Sequence, residues 1–155
     1  MLSEKDLIIL CNLRRNARET LTKISKKTNI PVSTIFEKLK AYRNEGLVRY
    51  TTIINFNKLG FDIKANVMIR VPKEKRKETK EYLIKHQNIN SVLKINNGFD
   101  FLFECIFTSI KELEDFLEML EERFNIEEKQ VYYVVEEIKK EEFMSHPETL
   151  GLLKN

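Results

Sequence analysis

The spacing of apolar positions predicts three helices in the first third of the chain. The first follows a capping-box pattern at residues 3–6, carries an apolar stripe and should end near Arg15. The other two lie within residues 20–46 and are separated by a turn of three residues. Two helices joined by so short a turn are typical of the helix-turn-helix that binds DNA.

Local signals mark both ends of the two later helices. The earlier of them is expected at residues 21–28 and the later one at residues 32–45. Between them, Asn29 tolerates a left-handed backbone and Pro31 is pre-set for a turn or a first helical turn. Gly46 follows the last helical residue, where glycine is favoured. These signals predict a recognition helix that begins just after Pro31.

The recognition helix has a predicted buried face and a predicted outer face. Ile35, Leu39 and Tyr42 fall at helical spacing and should be buried together. The outer face is expected to be short and polar, and to comprise Ser33, Thr34, Glu37, Lys38 and Ala41. In a major groove, hydroxyl groups can bind base edges or phosphates, Glu37 can accept from cytosine, and Lys38 can donate to guanine. The alternative interpretation is an ordinary amphipathic surface helix.

The charge distribution supports a polyanionic partner for the N-terminal part alone. Residues 1–50 contain 11 Lys and Arg against 5 Asp and Glu, a net charge of +6, whereas residues 51–155 carry a net charge of −3. Such asymmetry indicates that one part meets nucleic acid and the other does not. The candidate phosphate contacts are Arg14, Arg15, Arg18, Lys23, Lys26, Lys27, Lys40, Arg43 and Arg49. A solvated charged surface is the alternative for some of them.

The remaining chain alternates between strand and helix patterns in the order β-α-β-β-α-β, which is the ferredoxin-like arrangement. Strands are expected at residues 62–71, 89–96, 99–107 and 129–138, with helices at 73–86 and from 110 to 124. An extended segment at residues 47–56 is expected to form a wing or hinge strand. The fold class is therefore α+β. The predicted division is a helix-turn-helix domain at 1–54, a hinge at 55–61, a ferredoxin-like domain at 62–143 and a tail at 144–155.

Two helices can cover only one face of a four-stranded sheet. Apolar and aromatic residues occur on both sides of the predicted strands, so the uncovered face should not remain in water. An exposed apolar sheet face predicts self-association through the C-terminal domain, at least to a homodimer.

Composition excludes several classes of protein. No apolar run approaches the length of a membrane span, and the N-terminus lacks the features of a signal peptide. Cys11 and Cys105 lie far apart in apolar segments and are expected to be buried free thiols. We found no phosphate-binding loop, nucleotide-binding fingerprint or nucleophile elbow. The sequence thus predicts a cytoplasmic protein without a cofactor, a metal site or catalytic residues.

Taken together, the domains resemble the Lrp/AsnC family of transcriptional regulators over nearly the whole chain, to about Phe143. The resemblance lies in Asp6 with the apolar stripe after it, in Asn16-Ala17-Arg18, in Ile24-Ser25, in residues 29–33, in Gly46-Leu47-Val48-Arg49-Tyr50 and in residues 96–107. It implies sequence-specific binding of double-stranded DNA at palindromic sites, dimerisation through the sheets and further assembly, up to an octamer. It also implies that an amino acid could act as effector near the turn between the second and third strands.

The candidate effector residues at that turn are Asn97, Gly98 and Asp100. An Asn-Gly hairpin turn exposes backbone N–H groups that can hold a carboxylate, and the Asp100 side chain could accept from an ammonium group. The alternative is that Asp100 only binds the turn backbone, as aspartate often does. The family motif usually has glycine where this chain has Asn97.

Two other functions fit the same fold. Some decarboxylases of haem precursors share it and depend on His and Arg in the C-terminal domain, where this chain offers His86 and His146. Neither histidine has a partner at metal-ligand spacing, which favours a surface role for both. The second alternative is a metabolite sensor that acts through protein partners without binding DNA.

Overall fold

A computed structural model describes residues 2–148 and 151 of the chain. In order, the elements are α1 (Glu4–Arg15), α2 (Leu21–Thr28), α3 (Val32–Asn44), β1 (Ile63–Arg70), α4 (Arg76–Lys85), β2 (Ile89–Lys94), β3 (Phe101–Phe107), α5 (Ile110–Phe124) and β4 (Glu128–Tyr133). They form two compact units. The helical unit comprises the chain up to Ile53 together with the segment that begins at Ile138, and the sheet unit comprises Ile54–Glu137. Half of the predicted tail, residues 149–150 and 152–155, lies outside the described residues.

The helical unit is built from α1, α2 and α3 around a small apolar core. Both halves of the predicted capping box are present, because Ser3 and Asp6 exchange hydrogen bonds at the start of α1. Asn29 ends α2 in the left-handed region at φ 54°, as the turn prediction required. The core consists of Ile9, Leu13, Ile24, Ile30, Ile35 and Tyr42. This arrangement confirms the predicted helix-turn-helix.

The expected wing or hinge strand at residues 47–56 is not formed. The structure assigns no regular secondary structure to residues 48–55, which lead into a short 3-10 helix at Phe56–Leu59. Gly60 ends that helix at φ 84°, a conformation that glycine adopts without steric cost. A strand needs a neighbouring strand to bind its N–H and C=O groups, and none of the described strands pairs with this segment.

The sheet unit has the strand order β2-β3-β1-β4, with every neighbouring pair antiparallel. This order confirms the ferredoxin-like prediction. The apolar rows of β1 and β3 face α4 and α5. Their shared core contains Ala65, Val67, Ile69, Val71, Leu83, Phe101, Phe103, Cys105, Phe107, Leu113, Phe116, Leu117, Leu120 and Phe124. The strongest apolar patterns of the sequence are therefore buried within the single chain.

The other sheet face carries the alternate residues of the same strands. Met68 is paired in register with Leu102 on β3 and Gln130 on β4, and Leu93 on β2 is paired with Leu102. Tyr132 is 53% exposed. Polar residues, including Asn66 and Glu104, interrupt the apolar ones at the β1–β3 pair. The uncovered face is thus mixed in character, not the continuous apolar surface that the strand patterns suggested.

Candidate nucleic-acid interface and effector site

The exposed face of α3 lies opposite its contacts with the helical core. Ile35 and Tyr42 are buried and Leu39 packs partly against them, as predicted. The side chains exposed along the helix are Val32, Ser33, Phe36, Glu37, Lys40, Arg43 and Asn44. Of the predicted outer face, Ser33 and Glu37 are exposed, and Thr34 and Ala41 are half-buried at its margin. The true outer face is therefore rotated about the helix axis relative to the predicted one.

Lys38 corrects the predicted outer face most directly. Its ammonium group lies 2.5 Å from a carboxylate oxygen of Asp6, at the start of α1. The Tyr42 hydroxyl donates to the same oxygen at 2.5 Å, and the Ser3 N–H donates to the other at 2.7 Å. A lysine that is paired this way points into the domain and not toward a groove. Periodicity could not show this, because the partner lies 32 residues away in the chain.

Asp6 is ionised at the centre of this cluster. Burial alone would raise the pKa of Asp6, but hydrogen bonds from Lys38, Ser3 and Tyr42 hold it far below its ordinary value. Burial and the same contact raise the pKa of Tyr42, so the phenol remains protonated and acts as a donor. The cluster joins the first turn of α1 to the middle of α3, and it fixes which side of α3 faces outward.

A groove runs beside the exposed face of α3. It is lined by Phe36, Leu39, Lys40, Arg43, Asn44 and Tyr50. The Arg43 guanidinium lies 6.0 Å from the centre of the Tyr50 ring, a cation–π contact at the limit of its range. The sequence interpretation missed Phe36 and Asn44. The helical phase set by Ile35 and Tyr42 places Phe36 and Asn44 on the outer side of α3. That phase is the sequence signal that predicts their exposure.

The cations predicted to bind phosphate divide into paired and outward-facing groups. Arg14 pairs with Glu141 and also donates to the Phe143 carbonyl at 3.2 Å, and Lys27 pairs with Glu19 at 2.7 Å. The exposed remainder is Arg15, Arg18, Lys23, Lys26, Lys40, Arg43 and Arg49. Lys40, Arg43 and Arg49 lie on or just beyond α3, which concentrates positive charge beside its outer face.

The β2–β3 turn has the geometry expected of its sequence. Asn97 and Gly98 both have positive φ, at 63° and 89°, as in the hairpin turns that favour Asn-Gly. Asp100, however, is already bound within the sheet unit. One carboxylate oxygen accepts from the Val71 N–H at 2.9 Å and the other pairs with the Arg76 guanidinium at 2.8 Å. Both carboxylate oxygens therefore have partners in this structure, and the backbone bond goes to Val71 and not to the turn itself, where the alternative interpretation places it.

Neither histidine occupies a catalytic arrangement. His86 packs against Tyr82 and Phe116, with ring centres 5.5 and 4.6 Å away, and accepts from the Asn88 N–H at 3.2 Å. Burial lowers the pKa of His86. His146 lies beside two carboxylates of its own segment. Within the part of the chain that the structure describes, no cluster of His, Cys, Asp and Glu could hold a metal ion.

Family comparisons agree with this architecture. Residues 2–49 match a family described as winged helix-turn-helix DNA-binding, and residues 64–143 match one described as the Lrp/AsnC ligand binding domain. The second match alone covers more than half of the chain.

The chain belongs to the Lrp/AsnC family.

Individual Lrp/AsnC proteins show the same likeness. The HTH-type transcriptional regulator FL11 of Pyrococcus abyssi is 31% identical over 120 residues, which span 77% of this chain and 80% of that protein. The crystal structure of a Neisseria meningitidis transcriptional regulator in complex with L-Met matches with a TM-score of 0.83 at 21% identity, over 90% of this chain and 94% of that one. LrpC of B. subtilis matches with a TM-score of 0.80 at 19% identity, over 90% and 99%.

Membership of the Lrp/AsnC family establishes the general function. The protein is a DNA-binding transcriptional regulator with a ligand-binding domain, and not an enzyme. None of the helices within the described residues combines the length and the apolarity that crossing a membrane requires.

Proposed function

We propose that the exposed face of α3 enters the major groove of operator DNA in the cytoplasm. Ser33, Thr34 and Glu37 would contact base edges, while Lys40, Arg43 and Arg49 would bind phosphates. The main support for this proposal is that polar and cationic side chains are exposed together on one side of α3. The helix also lies within residues 1–50, which carry a net charge of +6. Lys38 is not included, because Asp6 already binds its ammonium group.

Salt titration of DNA binding tests this interface. Removing one phosphate contact, in Arg43→Ala or Arg49→Ala, should weaken binding to all sequences and reduce the slope of log K against log salt by about 0.9. Ser33→Ala and Glu37→Ala should instead change which sequence is preferred, by about 1–3 kcal/mol per good base contact. Lys80→Ala removes an exposed cation from α4 and serves as the control. Equal effects from all these variants would refute the proposed interface.

We also propose that the uncovered sheet face joins two copies of the chain. Supporting this are the exposed Leu93 and Tyr132 and the half-buried Met68 and Leu102 on that face. A dimer would place two α3 helices on one duplex, at half-sites about one helical turn or a multiple of it apart. Assembly of such dimers into an octamer is the larger oligomer that we propose.

Light scattering on full-length variants tests the sheet interface. Met68→Lys puts a charge in the middle of the face and should reduce the mass toward that of a monomer. Ile84→Lys puts the same charge on α4, where Ile84 is 61% exposed, and should leave the mass unchanged. A Met68→Lys protein that remains dimeric would contradict the proposal.

We propose finally that an amino acid binds at Asn97, Gly98 and Asp100. The turn presents backbone with positive φ, and Arg76 lies beside the Asp100 carboxylate. An amino acid would offer its ammonium group to Asp100 and its carboxylate to Arg76, so it would enter between two groups that now bind each other. The likeness to a regulator solved with L-Met makes methionine the first compound to try.

A thermal-shift series with the common amino acids tests this site. A ligand should raise the melting temperature with saturation. Asp100→Ala should abolish the response, and Asp115→Ala, a change of an exposed aspartate on α5, should not. A response that survives Asp100→Ala, or no response to any amino acid at millimolar concentration, would show that the proposed site is wrong.

A further inference from the structure

An aromatic ring lies exposed in the middle of the proposed DNA-binding face. Phe36 is 55% exposed on α3, and it is not a member of the helical core. Val32, one turn earlier, is 41% exposed. The helix carries enough apolar residues on its other side to pack against α1 and α2, so Phe36 contributes little to the fold of the helical unit.

The surroundings of Phe36 indicate what covers it. The groove that it lines also contains the side chains of Lys40, Arg43 and Asn44. Cations beside an exposed ring favour a polyanionic partner over an apolar protein surface, because an apolar partner would have to desolvate both charges. Ser33 and Glu37 continue the same face with groups that can hydrogen-bond to base edges.

We propose that Phe36 contacts the 5-methyl group of a thymine in the major groove and is a specificity-determining residue of this regulator. Among the groups that base pairs present in that groove, the thymine methyl is the apolar one. A phenyl ring has no donor or acceptor that could distinguish the other groups. The inference rests on the proposed entry of α3 into the major groove, and it adds the chemistry of one recognised base.

The size of the effect follows from the contact of a single methyl group. Burying one methyl contributes about fourfold in affinity. Replacing the thymidine that Phe36 contacts with deoxyuridine removes that methyl group and leaves the hydrogen-bonding pattern of the base unchanged. The wild-type protein should therefore lose about fourfold in affinity at one thymine position in each half-site.

The experiment combines a DNA change with a protein change in the full-length chain. A binding site is first selected from random duplex DNA, and each of its thymines is then replaced singly with deoxyuridine. Phe36→Ala should lose the discrimination at one position and keep it at any other sensitive thymine. Phe36→Leu retains an apolar side chain and should keep part of the discrimination between thymidine and deoxyuridine at that position. Leu47→Ala removes a residue that is 46% exposed beyond the end of α3 and should behave as wild type.

Each other outcome would overturn the inference. If Phe36→Ala keeps the wild-type ratio between thymine and deoxyuridine at every position, or if Val32→Ala removes it instead, Phe36 does not contact the methyl. If Phe36→Ala alters the oligomeric mass and not the ratio, a second copy of the chain covers the ring. A wild-type protein that binds no duplex at all would instead refute the proposed interface itself, which distinguishes the two failures.

Discussion

Removing the Lys38 ammonium group should destabilise the helical unit. The substitution Lys38→Met keeps the length of the side chain and leaves the carboxylate of Asp6, whose side chain is 11% exposed, without its positive partner. A hydrogen bond to a charged group contributes about 1.5–3 kcal/mol. The Lys38 side chain is 30% exposed and Asp6 keeps its bonds from Ser3 and Tyr42, so we expect the lower part of that range, about 2 kcal/mol.

Removing Asp6 itself should lower the free energy of unfolding by more than Lys38→Met does. Asp6→Ala leaves the buried Tyr42 hydroxyl without its acceptor, at about 1–3 kcal/mol, and removes half of the capping box of α1, at about 1 kcal/mol. The double variant Asp6→Asn with Lys38→Met removes both charges together. It should be less destabilised than the two single variants added, because no charge remains buried alone.

The pH dependence of stability has a definite sign. The folded-state pKa of Asp6 lies well below the ordinary value of 3.8, so the unfolded chain takes up the proton first as the pH falls. The contribution of the ionised Asp6 to the free energy of unfolding is therefore fully present well above pH 3.8. It is lost as the pH decreases toward the folded-state pKa of Asp6. Asp6→Asn should lack this part of the acid sensitivity.

Urea unfolding of the full-length chain, followed by circular dichroism at several pH values, measures these quantities. Lys5→Met changes an exposed lysine of α1 and is the matched control. If Lys38→Met is as stable as the control variant, the ion pair contributes nothing. If Lys38→Met lowers the salt slope of DNA binding by about 0.9, Lys38 binds phosphate and its inward assignment is wrong.

Two further predictions concern the sheet unit. Burial raises the pKa of Cys105 to about 12. A thiol reagent should therefore modify Cys105 slowly at neutral pH in the folded protein and rapidly in denaturant. A timed colorimetric titration would measure the two rates. Gly98 has φ 89°, so Gly98→Ala should destabilise the β2–β3 hairpin by about 1–2 kcal/mol. Gly98→Asn should destabilise it by less, because asparagine tolerates positive φ. Thermal melts of both variants give the comparison.

Signals close together in the sequence predicted the local structure well. The observed bounds of α2 are those predicted, and α1 begins directly after Ser3, because caps and turn residues act on their immediate neighbours. Strand ends were less predictable. β4 was expected to reach residue 138 but ends at Tyr133, which is paired with Ala65 close to the start of β1. The length of a strand depends on its partner, and periodicity contains no information about that partner.

The same distinction explains why two candidate site residues have partners that their local sequence did not indicate. Lys38 and Asp100 are both charged residues at positions where a pattern suggests an exposed functional group. In the structure each is bound by a residue that is distant in sequence, Asp6 in one case and Arg76 in the other. Whether a charged side chain meets solvent or a partner is decided by tertiary packing. The helical phase of Ile35 and Tyr42 predicts the outward position of Phe36, whereas the distribution of polar residues along α3 does not.

The inward orientation of Lys38 changes the chemistry that α3 can offer to a base pair. With its ammonium group bound to Asp6, the long cationic side chains left on the outer face are Lys40 and Arg43. In the proposed interface both of them bind phosphates, so Glu37 would accept from cytosine and Phe36 would contact thymine, without a lysine positioned to donate to guanine. A variant that frees Lys38, such as Asp6→Asn, would add a cationic donor near this surface. In the proposed interface, the Asp6 cluster would therefore restrict which bases the recognition helix distinguishes, in addition to its expected contribution to stability.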